Sequence, residues 1–557
     1  MKGIDRRIGI LFLAFIALLT IALTRASYLG VVKAGSLQRA AETQQVTELV
    51  VPAPRGTITD RNGVELALSE SAANVVVDPY LIKNPGAVAE KLAPLLGEPI
   101  TTVLAELTKP RTGYVQLAQL LPSDRAAAIM KLNIDGISTI PEMKRYYPRA
   151  WAASQVLGSV HSDGRGASGL EYRYDDALRG VSGLRRIVSD ARGQPISVDD
   201  VRPARPGKSI TLTIDAALQD EVEQVLAGVG AQYSPKGATA IVMNPNTGAI
   251  LALANWPRIN ANNPSAAPSW ASEDRAVLFN YEPGSTFKAI TVAGALQDGL
   301  VTPDTEFDVP PTLEVADRQI HDAEDHGYET LTVAQILKVS SNIGADEIGI
   351  EKLGPQRFDH WVHTFGFGSP TGVDLPGEEN GIVLHWWQYS GSSMGNLPMG
   401  QGESVTPMQM ATAYSAIANG GILRPPHIVQ AIGGAPTRLP RGKRIISPAV
   451  ALELRQMLQG VFADGGTASG AAIPGYDMAG KTGTANIAID GHYSDSAYVA
   501  SFIGMVPTRD PKLLVAVMVD EPQGAIYGGS VAAPAFQKIV GWAVPYLGLS
   551  PASAVNP

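Results

Sequence analysis

Three short groups of residues in this chain have the types and spacing for acyl-transfer chemistry. They are Ser285-Thr286-Phe287-Lys288, Ser340-Ser341-Asn342 and Lys481-Thr482-Gly483-Thr484, in that order. A serine hydroxyl is a poor nucleophile until a base takes its proton. A lysine can be that base once burial and a second cation lower its pKa. Pro283-Gly284 breaks the chain just before Ser285, and Thr286 to Leu296 reads as helix. Ser285 therefore falls at a helix start, with Lys288 one turn on along the same face. The helix N-terminus favours negative charge developing beside Ser285. Lys481 is the candidate second cation. Ser340 can relay a proton between Lys288 and a leaving amine, and Asn342 offers both a donor and an acceptor. Each motif also has a plain structural reading: an N-cap serine, a helix-end Ser-Asn cluster, a turn on a solvated edge. Ser-x-x-Lys alone is expected about one or two times by chance in a chain this long, and Lys-Thr-Gly on the order of 0.1 times. The ordered trio is what carries weight.

These groups need elements to hold them. Ile214 to Leu226 reads as a helix with Asp215 at its N-cap. Ala238 to Ala254 reads as a hairpin turning at Asn244 to Gly248. Three more strand-like runs follow at Met478 to Ile487, Tyr498 to Val506 and Leu513 to Asp520. Two early strands and three late ones predict one five-stranded antiparallel sheet. The runs are almost continuously apolar, so helices are expected on both faces. Leu331 to Val339 has helical periodicity and delivers Ser340 at its end. Lys481 to Thr484 falls on the strand expected at the sheet edge, where an extended peptide could add as a further strand. Lys481 and Thr482 would then hold a terminal carboxylate. Gly483 would let the ligand backbone approach. The backbone N–H groups of Ser285 and Thr484 would form an oxyanion hole.

The chain has 557 residues, 45% hydrophobic and 17% charged, a length for two to about four domains. A net charge of -9 gives no electrostatic footprint for nucleic acid. The absence of cysteine excludes disulfides and thiolate metal sites. Lys2, Arg6 and Arg7 precede an uncharged apolar run from Ile8 to Leu23. The run is slightly short for a free-standing span, unless Thr24, Ala26 and Tyr28 extend it while Arg25 snorkels. The positive flank places the N-terminus in the cytoplasm. No small-x-small cleavage site follows, so the segment reads as an uncleaved signal anchor, with the rest of the chain outside the cytoplasm.

Residues 30 to 205 are rich in β-like runs, such as Ala73 to Val77, and in turn signals. Asn62-Gly63, between Thr57-Ile58 and Val64 to Leu66, predicts a hairpin. Glu171, Asp175 and Arg179 read as a solvated or structural salt-bridging face. Arg202 to Lys208 reads as a linker. Two clusters resemble sites without the right context. Glu273-Asp274-Arg275 stands alone ten residues before Ser285. His321, Asp322, Asp325 and His326 lack metal-binding spacing and read as a loop. A Pro/Ala-rich tail follows Ser550.

At its motifs the chain resembles the class B penicillin-binding proteins, membrane-anchored transpeptidases that cross-link bacterial peptidoglycan. The N-terminal resemblance runs through Arg55-Gly56, Asp60-Arg61-Asn62-Gly63 and Gly169-Leu170-Glu171. The C-terminal one runs through Glu282 to Lys288, Ser340 to Asn342, Gly400-Gln401-Gly402, Thr406-Pro407 and Ala479 to Thr484. The resemblance implies an α+β penicillin-binding transpeptidase fold with a β-rich N-terminal pedestal and one transmembrane helix. The implied division is a cytoplasmic tail at 1–7, an anchor at 8–28, a non-catalytic pedestal (dimerisation) domain at 29–205 and a transpeptidase domain at 206–557. Ser285 would be the nucleophile, with Lys288, Ser340 and Asn342 catalytic and Lys481, Thr482, Gly483 and Thr484 binding substrate. No metal and no cofactor are implied. The implied partners are stem peptides, β-lactams, a polytopic membrane glycosyltransferase, other division proteins and the membrane. Gly465-Gly466-Thr467-Ala468 and Tyr527 to Phe536 lean toward the division subtype, with elongation and sporulation types as alternatives.

Two other functions compete. A serine β-lactamase would need a deacylating carboxylate, and no Glu-x-x-x-Asn-type motif lies between Ser340 and Lys481. A β-lactam-binding sensor or scaffold would need a signalling domain, for which the roughly seven residues before the apolar run leave no room.

Overall fold

The computed structural model describes residues 2–35, 46–189, 195–439, 441–489 and 492–551. The tail after Ser550 lies, from residue 552 on, outside them. The described chain forms two compact units, and the division does not follow one linker. One unit comprises Met1–Pro54, Ser71–Met143 and Gly180–Gly207; the other comprises Arg55–Glu70, Lys144–Arg179 and Lys208–Pro557.

The first unit begins with the helix Lys2–Ser27. The apolar helical stretch runs over Arg6–Val32, 27 residues, about 40 Å at 1.5 Å per residue and long enough to cross a bilayer. It extends past the run read from sequence because Arg25 sits on a helix turn without ending it. Its Leu11, Phe12, Leu18 and Leu23 side chains are exposed. Further on, Ala72 to Val77 pair antiparallel with Val115–Pro122. Helices Pro85–Leu96, Ile100–Leu107 and Ser123–Lys131 pack there, burying Leu92, Val103 and Ile129 with Val75 and Val77. A separate sheet joins Val46–Val51, Gly183–Ser189 and Pro195–Arg202.

The second unit is built on the predicted five-stranded antiparallel sheet. Its order is Ala249–Trp256, Gly237–Asn244, Leu513–Asp520, His492–Val506, Ala479–Ile489. Along Gly237–Asn244, Ala240 and Val242 join one buried cluster while Ile241 and Met243 join the other. Both faces are thus covered, as the unbroken apolar runs require. Helices Ala216–Tyr233 and Gly528–Tyr546 cover one face; Lys288–Gln297, Pro407–Ala418 and Pro448–Gln459 pack over the other. The Asp215 carboxylate caps the first of these helices, accepting from the Ala217 and Leu218 N–H groups at 3.1 and 3.2 Å.

The Asn62-Gly63 hairpin forms with Ile58 opposite Ala67 and Gly63 at φ +86°. Ile58–Thr59 also pairs parallel with Ile210–Leu212. The Glu171 group is structural, but it is not solvated. Glu171 is fully buried between Arg55 (2.5 Å) and Arg145 (2.6 Å), and Arg55 also reaches Asp175 at 2.5 Å. The cluster pins the segments near 55, 145 and 171 together, which the sequence separation hides.

Candidate active site

The Ser285 motif lies on a 3₁₀ turn, Gly284–Thr286, that leads into the helix Lys288–Gln297. Three contacts fix the turn. The Thr286 hydroxyl donates to the Pro283 carbonyl at 2.7 Å, the buried Tyr414 hydroxyl donates to the Thr286 carbonyl at 2.6 Å, and the Gly284 N–H donates to the Gly400 carbonyl at 2.9 Å. Gly400 has φ +92°, and a Cβ there would fall 2.1 Å from the Gly284 carbonyl oxygen. Only glycine therefore fits at that position. Ser285 stays partly exposed, while Phe287 and Lys288 are wholly buried.

The second motif joins two helices. Val333–Val339 is opened by a Thr332/Gln335 capping box, and Asn342–Glu347 follows. Between them Ser340 takes left-handed backbone angles, φ 66° and ψ 37°, a conformation costing a non-glycine residue about 1 kcal/mol or more. That turn places Ser340 between two lysines. Lys288 Nζ donates to the Ser340 carbonyl at 2.5 Å and to Asn342 Oδ1 at 2.7 Å, and lies 3.4 Å from the Ser340 hydroxyl. Lys481 Nζ donates to the same hydroxyl at 2.8 Å.

The third motif lies on the edge strand Ala479–Ile489, as predicted. Thr482 Oγ1 is 2.8 Å from Thr467 Oγ1, and the Thr484 hydroxyl accepts from the Gly528 N–H at 3.0 Å. Thr467 and Gly528 belong to the two segments singled out above for the division subtype, so those segments support the edge strand directly. Gly483 also has a packing reason to be glycine. A Cβ there would meet Ser501 Oγ at 2.3 Å, the Pro283 carbonyl at 3.0 Å and Thr286 Cγ2 at 3.0 Å. The edge strand can therefore lie flat against the turn that carries Ser285.

Charge in this cleft is unevenly solvated. Burial pulls Lys288 down to about 8, against the opposing pull of the Asp322 and Asp346 carboxylates. Burial, and then the positive charge of Lys288, hold Lys481 well below the ordinary lysine range. The two ammonium groups repel each other, so their protons titrate as those of a pair. Asp346 sits four residues after Asn342 on the same helix; burial pushes its carboxyl well above the carboxylate range, with Lys288 opposing.

The loop holding His321, Asp322, Asp325 and His326 is a loop, but Asp322 in it has a structural task. One carboxylate oxygen accepts from the Asn342 and Ile343 N–H groups, the latter at 3.1 Å, and the other accepts from the Ser341 hydroxyl at 2.7 Å. Asn342 Nδ2 donates to the His321 carbonyl at 2.8 Å. Asp322 thus caps the helix whose first residue holds Lys288. In Glu273-Asp274-Arg275, Asp274 caps Ala276 and bonds Asn255, and Arg275 pairs with Asp520 at 3.0 Å. Asp274 and Arg275 brace the sheet.

Against this geometry the family can be stated. Residues 238–541 match the penicillin binding protein transpeptidase domain, and residues 50–212 match the penicillin-binding protein dimerisation domain. The chain belongs to the penicillin-binding protein transpeptidase family. It is 34% identical to stage V sporulation protein D of Bacillus subtilis, over 95% of this chain and 84% of that protein. It is 30% identical to the peptidoglycan D,D-transpeptidase FtsI of Escherichia coli, over 98% of this chain and 93% of that one. The crystal structure of penicillin binding protein 3 from Mycobacterium tuberculosis, complexed with aztreonam, superposes with a TM-score of 0.71 at 30% identity, covering 90% of this chain and 98% of that one.

Proposed function

We propose that this chain is a peptidoglycan D,D-transpeptidase working through a serine acyl-enzyme, with its catalytic unit outside the cytoplasm. The observation that carries the reading is the convergence of two buried lysines, Lys288 and Lys481, on one serine, Ser340, with Ser285 one turn before Lys288. Ser285 Oγ attacks the carbonyl between the two terminal D-alanines of a donor stem peptide as Lys288 takes its proton. Backbone N–H groups of Ser285 and Thr484 hold the oxyanion. The C–N bond breaks, and the terminal D-alanine leaves as an amine protonated through Ser340. An amine from a neighbouring stem peptide then attacks the acyl-enzyme, the cross-link forms and Ser285 is regenerated. Lys481 and Thr482 hold the donor's terminal carboxylate. β-Lactams would acylate the same serine.

Septal wall synthesis during cell division is the role that Gly465 to Ala468 and Tyr527 to Phe536 favour. The sporulation protein among the relatives keeps a sporulation role as the second reading. A polytopic membrane glycosyltransferase is the partner this reading requires, because the transpeptidase needs freshly polymerised glycan beside it. The N-terminal helix, with Arg6 and Arg7 on the cytoplasmic side, anchors the pair to one membrane. A non-catalytic β-lactam sensor is the competing function. Full-length protein and Ser285→Ala, each given a fluorescent penicillin and a pair of stem peptides, separate these readings. The parent should label and cross-link, and the variant should do neither. Labelling of the variant would remove Ser285 as nucleophile, and labelling without cross-linking by the parent would favour the sensor. Depletion in the host should give filaments; normal division with failed spores would select the second role.

A further inference from the structure

A second cluster of chemically active groups lies outside the serine site and plays no part in the proposed reaction. Asp359 and His363 sit four residues apart on one face of the helix Gly354–Thr364, and the loop after it returns His385 to the same face. His363 Nε2 is 3.0 Å from Asp359 Oδ1 and 2.9 Å from His385 Nδ1, and His385 Nδ1 is 3.5 Å from Asp359 Oδ1. Three ligand atoms around a tetrahedral ion with bonds of about 2.0–2.1 Å would stand about 3.3 Å apart. The observed triangle is close to one face of that tetrahedron.

The proton inventory points the same way. His363 Nδ1 lies 3.2 Å from the Phe367 carbonyl, which can only accept, so a neutral ring with its proton on Nδ1 satisfies that contact. That leaves His363 Nε2 bare, facing a carboxylate oxygen that also only accepts. The single proton of a neutral His385 cannot serve both. A divalent cation satisfies all three atoms. The Nδ1–H to carbonyl bond is also the outer contact that usually orients a metal-binding histidine. Asp359 is buried, while His363 and His385 are partly exposed, which leaves an open side for a water ligand. His385 is held in place by stacking on Trp387, with ring centroids 4.3 Å apart and planes 16° apart.

We infer that Asp359, His363 and His385 form a binding site for a divalent transition-metal ion of the zinc class. An ion there would tie the helix Gly354–Thr364 to the segment that continues through Leu397–Met399 to Gly400, whose carbonyl holds Gly284.

The test uses full-length protein in detergent, stripped with a chelator and titrated with Zn²⁺ or Co²⁺. The parent should bind about one ion per chain, and Co²⁺ should give the intense visible absorption of a four-coordinate site. His363→Gln and His385→Gln should each weaken binding by more than about 100-fold, since even an outer contact is worth roughly 10- to 100-fold. His326→Gln, in the other histidine–carboxylate group beside Asp322 and Glu329, should leave binding unchanged. Thermal melting checks that the variants fold; if His363→Gln does not, the more exposed His385→Gln decides. No Co²⁺ absorption in the parent, retention of it in His385→Gln, or loss of it in His326→Gln alone would overturn the assignment.

Discussion

The Lys481 ammonium donates to the Ser340 hydroxyl at 2.8 Å, and Lys288 donates to the carbonyl of the same residue at 2.5 Å. One serine with left-handed backbone angles therefore separates two buried cations. Lys481→Ala should slow β-lactam acylation by about 30- to 1000-fold, the equivalent of roughly 2–4 kcal/mol for a charged hydrogen bond in a desolvated site. Lys481→Arg should rescue only part of this, because its planar fork does not match a single hydroxyl. Stopped-flow acylation kinetics provide the check. An unchanged second-order rate constant would take Lys481 out of the site.

The pH profile follows from Lys288. Its pKa is held at about 8, and the amine acts as base only when neutral. The acylation rate should therefore climb about tenfold per pH unit below that value and level off above it. Asp322 pulls Lys288 upward, so Asp322→Asn should move the rising limb to lower pH. The same change weakens the cap on Asn342 and Ile343, costing about 1–3 kcal/mol of stability. A merely structural role for Asp322 would lower stability and leave the limb where it is.

Removal of the Glu171 carboxylate leaves Arg145 buried without its carboxylate partner and Arg55 with Asp175 alone. Glu171→Ala should lose roughly 3–5 kcal/mol of stability. Thermal unfolding measures the loss. Fluorescent-penicillin labelling per folded molecule should stay at the parent level, since the cluster lies away from Ser285 in function. A labelling defect in fully folded protein would mean that the cluster also sets the cleft.

A chain lacking residues 1–32 should move from the membrane to the aqueous fraction yet still be acylated. It should lose any stimulation by a membrane glycosyltransferase. Full stimulation of the truncated chain in reconstituted bilayers would show that the partner contacts lie elsewhere.

Much of this architecture could be read from the sequence because its signals are local. Apolar runs with no polar alternation marked a sheet covered on both faces, and Pro283-Gly284 marked the start of the turn at Ser285. The missing features are long-range. Asp322 looked like a loop residue because its partners, Ser341 to Ile343, lie some twenty residues on. Asp346 carries no motif, and its pull on Lys288 is a charge interaction between groups 58 residues apart in the chain. Glu171 read as part of a structural ion-pairing face, but nothing in its neighbourhood told of two arginines 116 and 26 residues away. The packing of Gly483 against Ser501 and Pro283 demands a residue without a side chain, a long-range constraint that stands beside the substrate-approach reading.

The strand at the centre of the five-stranded sheet, Leu513–Asp520, is the last of the five to be made. It alone joins the early hairpin at Gly237–Trp256 to the late one at Ala479–Val506. During synthesis, the turn that carries Ser285 and the lysine edge strand must both wait for this keystone before either has a finished sheet to rest on. A chain that stops before Leu513 lacks the strand against which both hairpins pair. Assembly of the cleft is thereby tied to the synthesis of Leu513–Asp520.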